Sequence, residues 1–138
     1  MSAGKLNTYY IGINNLNNFI TVLDYQLLGL FELSLSNYTN NNLPAIESGS
    51  IIEVNGNMYY FSADDSISGA PANGTVYIKL VVSGALQVSP EFTATDPAWD
   101  AEKCGWYDGN DRYIAKMIKS SSTYYNKVLM NKEKYDEI

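Results

Sequence analysis

The segment IIEVNGNMYYF, residues 51–61, decides the fold more than any other stretch of this sequence. Its two halves, 51–54 and 58–61, are rich in β-branched and aromatic side chains and flank the dipeptide Asn55-Gly56. Asn-Gly is the dipeptide that most readily adopts the two positive φ angles of a tight hairpin turn. The segment therefore predicts a β-hairpin, and with it an antiparallel sheet in this part of the chain.

Three more strands are predicted downstream of the hairpin. The run TVYIKLVV, residues 75–82, is dominated by β-branched and aromatic residues and is bounded by glycines, which is typical of a central strand. Residues 112–118 and 124–130 have the same character and predict two closing strands. Together these segments predict a small antiparallel β domain of five to seven strands.

Two stretches interrupt this pattern. Residues 37–49 include three consecutive asparagines and a proline, which predict turns rather than core. This break divides the chain into an N-terminal segment, 1–43, and the β domain, 44–138. Residues 87–98 contain two prolines and few regular apolar repeats, so they predict an extended loop with at most one edge strand.

Upstream of the break, the run NNLNNFITVLDYQLLGLFELSLS, residues 14–36, has apolar residues at spacings of three and four, which predicts a helix and an α+β fold. The second half would be apolar on all sides and would need several partners. A coiled-coil-like seam of a homotrimer, or burial against the chain's own sheet, would provide them. The residues predicted to form the oligomer interface are Leu16, Phe19, Ile20, Leu23, Leu27 and Leu30. Alternation of Phe31, Leu33 and Leu35 with polar residues is the competing sign of a strand.

Composition narrows the function. Nine basic and fifteen acidic residues give a net charge of -6, which argues against nucleic-acid partners because their affinity comes largely from Lys and Arg. Histidine is absent, which excludes every mechanism that needs an imidazole. Cys104 is the single cysteine, so no intrachain disulfide can form, and it is expected to pack as a small apolar residue. No cofactor or metal is expected.

Neither a signal peptide nor a membrane insertion is predicted. Residues 1–10 lack a basic patch followed by a long apolar run, so secretion by that route is not expected. The longest apolar stretch, residues 27–35, is interrupted by polar residues and is far shorter than the roughly 20 residues that span a bilayer.

Paired carboxylates are the one enzymatic hypothesis worth weighing, because two carboxyl groups about 5 to 9 Å apart can cleave a glycosidic bond. The candidates are Glu47, Glu53, Asp64, Asp65 and Glu91. Their spacing selects no pair, and most lie beside turn residues where exposed acids are common. We therefore predict that the chain is not an enzyme.

A cluster of aromatic residues offers a candidate ligand-binding patch. Trp99, Trp106 and Tyr107 lie close in sequence and have several aspartates beside them. Aromatic faces stack on the apolar faces of sugar rings, and carboxylates accept hydrogen bonds from sugar hydroxyls. The same side chains would equally well anchor a long loop onto the sheet. Both interpretations stay open at the level of sequence.

From Gly49 onward, the order of features resembles a module of bacteriophage tail-fibre and baseplate-associated proteins. The resemblance lies in GSIIEVNGNMYYF from Gly49, SGAPANGTVYIKLV from Ser68, and PAWDAEKCGWYDGNDRYIAKMIKSS from Pro97. In that family these segments form a hairpin, a strand after a Pro-Gly turn, and a Trp-containing segment that leads to the last strands. They cover about two thirds of the chain.

The resemblance implies a structural protein of the virion, made in the cytoplasm of the bacterial host. Such modules are usually trimeric, and they either dock on other virion proteins or bind a receptor such as a host-surface glycan. A head fibre, a capsid decoration protein and a free carbohydrate-binding module are the alternatives. No catalytic residues are carried over, because the module resembles a structural part.

Overall fold

The computed structural model describes residues 3–5, 28–84 and 87–133, and over these residues the fold is all-β. The predicted α+β fold with an N-terminal helix is therefore wrong. Residues 28–36 form a turn, a short strand and a bridge of Leu35 to Ile46, not a helix. On a helix, the apolar side chains of this segment would point in all directions. On an extended chain, every second side chain points to the same side, so Phe31, Leu33 and Leu35 share one face. The predicted interface residues from Leu16 to Leu27 lie outside the described residues.

The strands are β1 (Ala3–Lys5), β2 (Phe31–Glu32), β3 (Ala45–Ile46), β4 (Ile51–Val54), β5 (Asn57–Tyr60), β6 (Asp65–Ser66), β7 (Gly74–Ser83), β8 (Gln87–Thr93), β9 (Ala98–Asp100), β10 (Gly105–Asp108), β11 (Asp111–Ser120) and β12 (Thr123–Leu129). The predicted hairpin is confirmed as β4 and β5, with Asn55 at φ 52° and Gly56 at φ 86°. The predicted central strand is β7, and the two predicted closing strands are β11 and β12.

Ten of these strands form one antiparallel sheet, in the order β2-β4-β5-β1-β8-β7-β11-β10-β9 with β12 also on β11. β3 and β6 form a separate two-stranded ladder. β11 pairs with β7 along one edge and divides its other edge between β10 and β12. β1 and β2, which precede the boundary predicted at residue 43, belong to the same sheet as the strands that follow it.

The prediction of an extended loop with an edge strand at residues 87–98 is wrong for residues 87–93, because they form β8, an interior strand between β7 and β1. Pro90 is tolerated there for a specific reason. The carbonyl of Pro90 accepts a hydrogen bond from Ser68 N, so it points away from β7, and the nitrogen of the same residue points the same way. On that side, β1 pairs with Gln87 and Val88 and does not extend to Pro90. The ladder with β7 therefore loses no hydrogen bond to the proline.

The sheet curls around one hydrophobic core. β4 and β11 are separated by four strands in the sheet order, yet Arg112 of β11 donates a hydrogen bond to Glu53 O of β4. The inward side chains form the core cluster, whose fully buried members include Ile46, Ile52, Val54, Val76, Ile78, Leu80, Val88, Ile114 and Met117. A second, smaller cluster of Tyr77, Tyr113 and Met130 lies on the outer face of the sheet.

Candidate functional site

The three predicted ligand-binding aromatics do not form one patch. Trp99 on β9 and Trp106 on β10 are register partners, and their rings meet edge to face with centroids 5.7 Å apart. Tyr107 follows Trp106 directly in β10 and so points to the opposite face of the sheet. It is 5% exposed, belongs to the main core, and its hydroxyl accepts a hydrogen bond from Asn55 N at 3.0 Å. The structure therefore brings the two tryptophans together and separates the tyrosine from them.

The tryptophans extend into a longer row, which we call the aromatic face: Trp99, Trp106, Tyr113 and Tyr77. Tyr113 of β11 is the register partner of Trp106, and its ring meets that of Tyr77 edge to face at 5.5 Å. Met130 is fully buried against the two tyrosines. Its amide donates to the carbonyl of Ile114, where β11 shifts register against β7. Tyr77 and Tyr113 of the aromatic face thus form a second hydrophobic core together with Met130.

Hydrogen bonds hold the covering segments onto the aromatic face. The hydroxyl of Tyr77 donates to Asp96 Oδ1 at 2.9 Å, and that of Tyr113 donates to the carbonyl of Thr95 at 2.8 Å. The indole N–H of Trp106 donates to the carbonyl of Lys132. Three of the four rings therefore anchor a loop or the segment after β12, which is the structural role that the sequence left open.

Trp99 differs from the other three rings. It lies on β9, the strand at the free edge of the sheet, is half-buried, and its indole N–H has no partner among the described residues. A shallow depression beside it is lined by Ala98, Trp99, Asp100, Ala101, Glu102, Tyr107 and Gly109. Asp100 Oδ1 accepts from the amides of Glu102 and Lys103, which fixes the floor of this loop. Asp100 follows Trp99 directly in β9, so its side chain points to the opposite face, the one that carries Tyr107. The indole ring of Trp99 can stack on the apolar face of a sugar ring.

The described residues include a fully buried charge pair that the sequence did not reveal. Arg112 on β11 and Glu53 on β4 are both fully buried, with Nη1 3.8 Å from Oε1. The Arg112 guanidinium also donates to the carbonyls of Glu53 and Leu30. Glu53, in turn, accepts from the amides of Gly29 and Gly56. Through these hydrogen bonds the Glu53 carboxylate joins β4 to two turns and to β11, which is a structural role.

Burial governs the electrostatics around this pair. Burial lowers the pKa of Arg112, against the opposing effects of Tyr107 and Glu53, which favour its charged form. Burial also raises the pKa of Tyr107 to about 12. The phenol is therefore neutral at physiological pH and serves as the acceptor for Asn55 N.

The other candidate carboxylates are dispersed. Glu47 accepts a hydrogen bond from the Ser34 hydroxyl, and Asp64 accepts one from the amide of Ser48. Asp65 is buried in β6. Glu91 lies on β8, opposite Lys79 in the register with β7. Glu47, Asp64 and Asp65 thus lie around the β3–β6 ladder, Glu53 lies on β4, and Glu91 lies on β8.

The prediction that Cys104 packs as a small apolar residue is wrong, because its side chain is exposed. It adopts φ 56°, a left-handed conformation at the turn before β10. Its Cβ lies where a side chain on Gly29 would have to fit, at 3.0 Å. The Cys104 side chain therefore leaves little room for any side chain at residue 29, in the turn that precedes β2.

The described ranges contain neither a cluster of metal-binding side chains nor a membrane-spanning helix. Residues 28–84 and 87–133 hold no group of three or more acidic or cysteine side chains that could hold a metal ion. The described part of the chain contains no helix long and apolar enough to cross a bilayer. Comparison of the chain with protein-family models, with curated proteins and with solved structures finds no match.

Proposed function

We propose that this chain is a structural component of a bacteriophage virion appendage, such as a fibre, tail-appendage or baseplate component, that presents a contact surface at the free edge of its sheet. The sequence resemblance supports the first part. The observation that carries the second part is Trp99, which lies half-buried on the last strand of the described sheet and whose N–H has no partner in the described residues.

The sheet suits this role because the neighbouring strand supports the contact surface. Trp106 supports Trp99 from the neighbouring strand, and is itself tied to Lys132. A preorganised aromatic surface loses little side-chain entropy on binding. The ligand class that fits is a glycan, since an indole ring stacks on the apolar face of a sugar ring.

The direct test of the virion role is mass spectrometry of phage particles purified from the host that carries the gene. The proposal expects peptides of this chain in the particles at a stoichiometry that is a multiple of the oligomer number. Their absence from intact particles would overturn it. We also propose that the chain assembles as a homotrimer. Native mass spectrometry tests this separately, and a stable monomer at micromolar concentration would contradict it.

The contact surface is tested on a glycan array with three proteins. Trp99→Ala is expected to abolish binding without unfolding, because Trp99 anchors none of the covering segments. Tyr125→Ala, a half-buried aromatic on β12, is the matched control and should bind as the parent does. Binding that survives Trp99→Ala, or an array with no bound glycan, would remove the attachment role and leave the structural one.

A further inference from the structure

A second depression lies at the end of the sheet where several turns meet, and we call it the turn-tip pocket. Its volume is about 330 Å³, and its lining residues are Asn55, Asn57, Tyr59, Val82, Gly84, Lys103 and Asn110. They come from the β4–β5 turn, the end of β7, the β9–β10 loop and the β10–β11 turn. Four separate segments thus converge on one small space lined by both apolar and polar groups, which is the usual construction of a ligand site.

Hydrogen bonds fix the walls of the turn-tip pocket before any ligand arrives. Asn55 Nδ2 donates to the carbonyl of Asn110 at 2.7 Å, which locks two turns together. Lys103 Nζ donates to the carbonyl of Gly109 at 3.1 Å and lies 4.5 Å from the centre of the Tyr107 ring. The ammonium group is thereby held in place with N–H groups to spare. Preorganisation of this kind lowers the entropy lost on binding.

Tyr59 places a hydroxyl group at the turn-tip pocket. Its side chain is 1% exposed, belongs to the main core and lines the pocket, so packing fixes its position. The hydroxyl can both donate and accept a hydrogen bond, and it therefore adds one more polar contact for a ligand.

The lining selects the chemistry of the ligand. The amides of Asn57 and Asn110 offer both donors and acceptors, which suits hydroxyl groups. Lys103 is the one charged residue of the lining, and it is positive in a protein whose net charge is -6. Val82 and the ring of Tyr59 add a small apolar surface. The lining therefore complements a compact molecule with several hydroxyls, one negative charge and one apolar face.

We propose that the turn-tip pocket binds a single monosaccharide unit that carries a carboxylate, that is, a uronic acid residue. Lys103 meets the carboxylate, and the asparagine amides and the Tyr59 hydroxyl meet the ring hydroxyls. The depression beside Trp99 differs in charge, because Asp100 and Glu102 line it. Binding of an acidic sugar to the turn-tip pocket therefore does not depend on the attachment role proposed for Trp99.

The test is an NMR titration of the full chain with D-glucuronate, D-galacturonate and D-glucose. The proposal expects saturable shifts of the Asn55, Asn57 and Asn110 side-chain amides with at least one uronate. Glucose should bind about tenfold more weakly, the loss expected for one charge-assisted hydrogen bond. Absence of saturable shifts at tens of millimolar uronate, or equal binding of glucose, would overturn the proposal.

Variants locate the site. Lys103→Gln should weaken uronate binding about tenfold and make it insensitive to salt, since the ionic contact is removed. Tyr59→Phe removes only the hydroxyl and should weaken binding severalfold while the amide spectrum stays that of the folded parent. Lys119→Gln is the matched control, because Lys119 lies at the opposite end of β11. Unchanged affinity in both Lys103→Gln and Tyr59→Phe would refute this site even if uronate binds elsewhere.

Discussion

Gly105 lies directly against the buried guanidinium group of Arg112, so closely that a Cβ atom at residue 105 would be 2.8 Å from Nε and 3.3 Å from Cζ. Arg112 is the largest fully buried side chain among the described residues, and its Nε has no hydrogen-bond partner there. Residue 105 must therefore be a glycine because the Arg112 side chain fills the space next to it, and not because of an unusual φ angle. This close contact leads to the first prediction.

Gly105→Ala should destabilise the protein by about 1–3 kcal/mol, the usual cost of overpacking a dense interior. The measurement is urea unfolding followed by tryptophan fluorescence. A double-mutant cycle supplies the control: in an Arg112→Met background, the added methyl meets a slimmer neighbour and should cost clearly less. Equal costs in the two backgrounds would show that the close contact with Arg112 is not what requires glycine.

Glu53→Gln should cost about 3–5 kcal/mol, because it leaves the buried Arg112 charge without its counter-charge. It also replaces one of the two carboxylate oxygens by an NH2 group, so one of the amides of Gly29 and Gly56 loses its acceptor. Glu91→Gln is the matched control: Glu91 lies on the outer face opposite Lys79, and loss of its charge should change the free energy of unfolding by less than about 1 kcal/mol. Similar losses in both variants would contradict the structural role of the buried pair.

Tyr107 predicts a specific alkaline sensitivity. Its pKa in the folded protein is raised by burial to about 12, from a usual value of 10.0. Folding therefore favours the neutral phenol, and its contribution to stability is complete below pH 10 and is lost progressively as pH rises toward 12.

The check compares wild type and Tyr107→Phe by urea unfolding at several pH values. The phenylalanine variant should be less stable at pH 8, since Asn55 N loses its acceptor, and the gap between the two proteins should narrow above pH 10. A gap that widens with pH would show that Tyr107 ionises more easily in the folded state than in the unfolded one.

Met130→Ala should cost about 2–5 kcal/mol, because it opens a cavity between Tyr77 and Tyr113 on the outer face. Trp106 packs on the same cluster, so its fluorescence should move to longer wavelength as the cover loosens. Leu43→Ala is the control, since Leu43 is 51% exposed and truncation there should change the free energy of unfolding by less than about 0.5 kcal/mol. A Met130→Ala variant as stable as Leu43→Ala would mean that the outer cluster adds little to the fold.

The strands that sequence reasoning located are those with local signals. Asn55-Gly56 specifies its own turn, and β7 has the composition of a buried strand over its whole length. β8 was missed because a proline is usually a sign against an interior strand, and its harmless position depends on Ser68, which is remote in sequence. The helix at residues 14–36 was predicted from spacing, yet the part that is described follows the two-residue period of a strand.

The candidate sites were less predictable, because they depend on pairing between distant residues. Trp99 and Trp106 could be recognised from their types, but only the β9–β10 register shows that they share a face and that Tyr107 does not. Arg112 and Glu53 are 59 residues apart, and no local pattern pairs them. The turn-tip pocket draws on four segments, so it exists only once the sheet has curled.

β11 has one edge on β7 and the other shared by β10 and β12. Either hairpin can fray while the other still covers its part of the strand, and neither event exposes the edge that faces β7. The amides of β11 that bond to β7 should consequently exchange with deuterium only when the whole molecule unfolds, whereas those of β9 at the free edge should exchange through local opening. The protein would then keep its central strand pair closed while the rim that includes Trp99 opens and recloses many times.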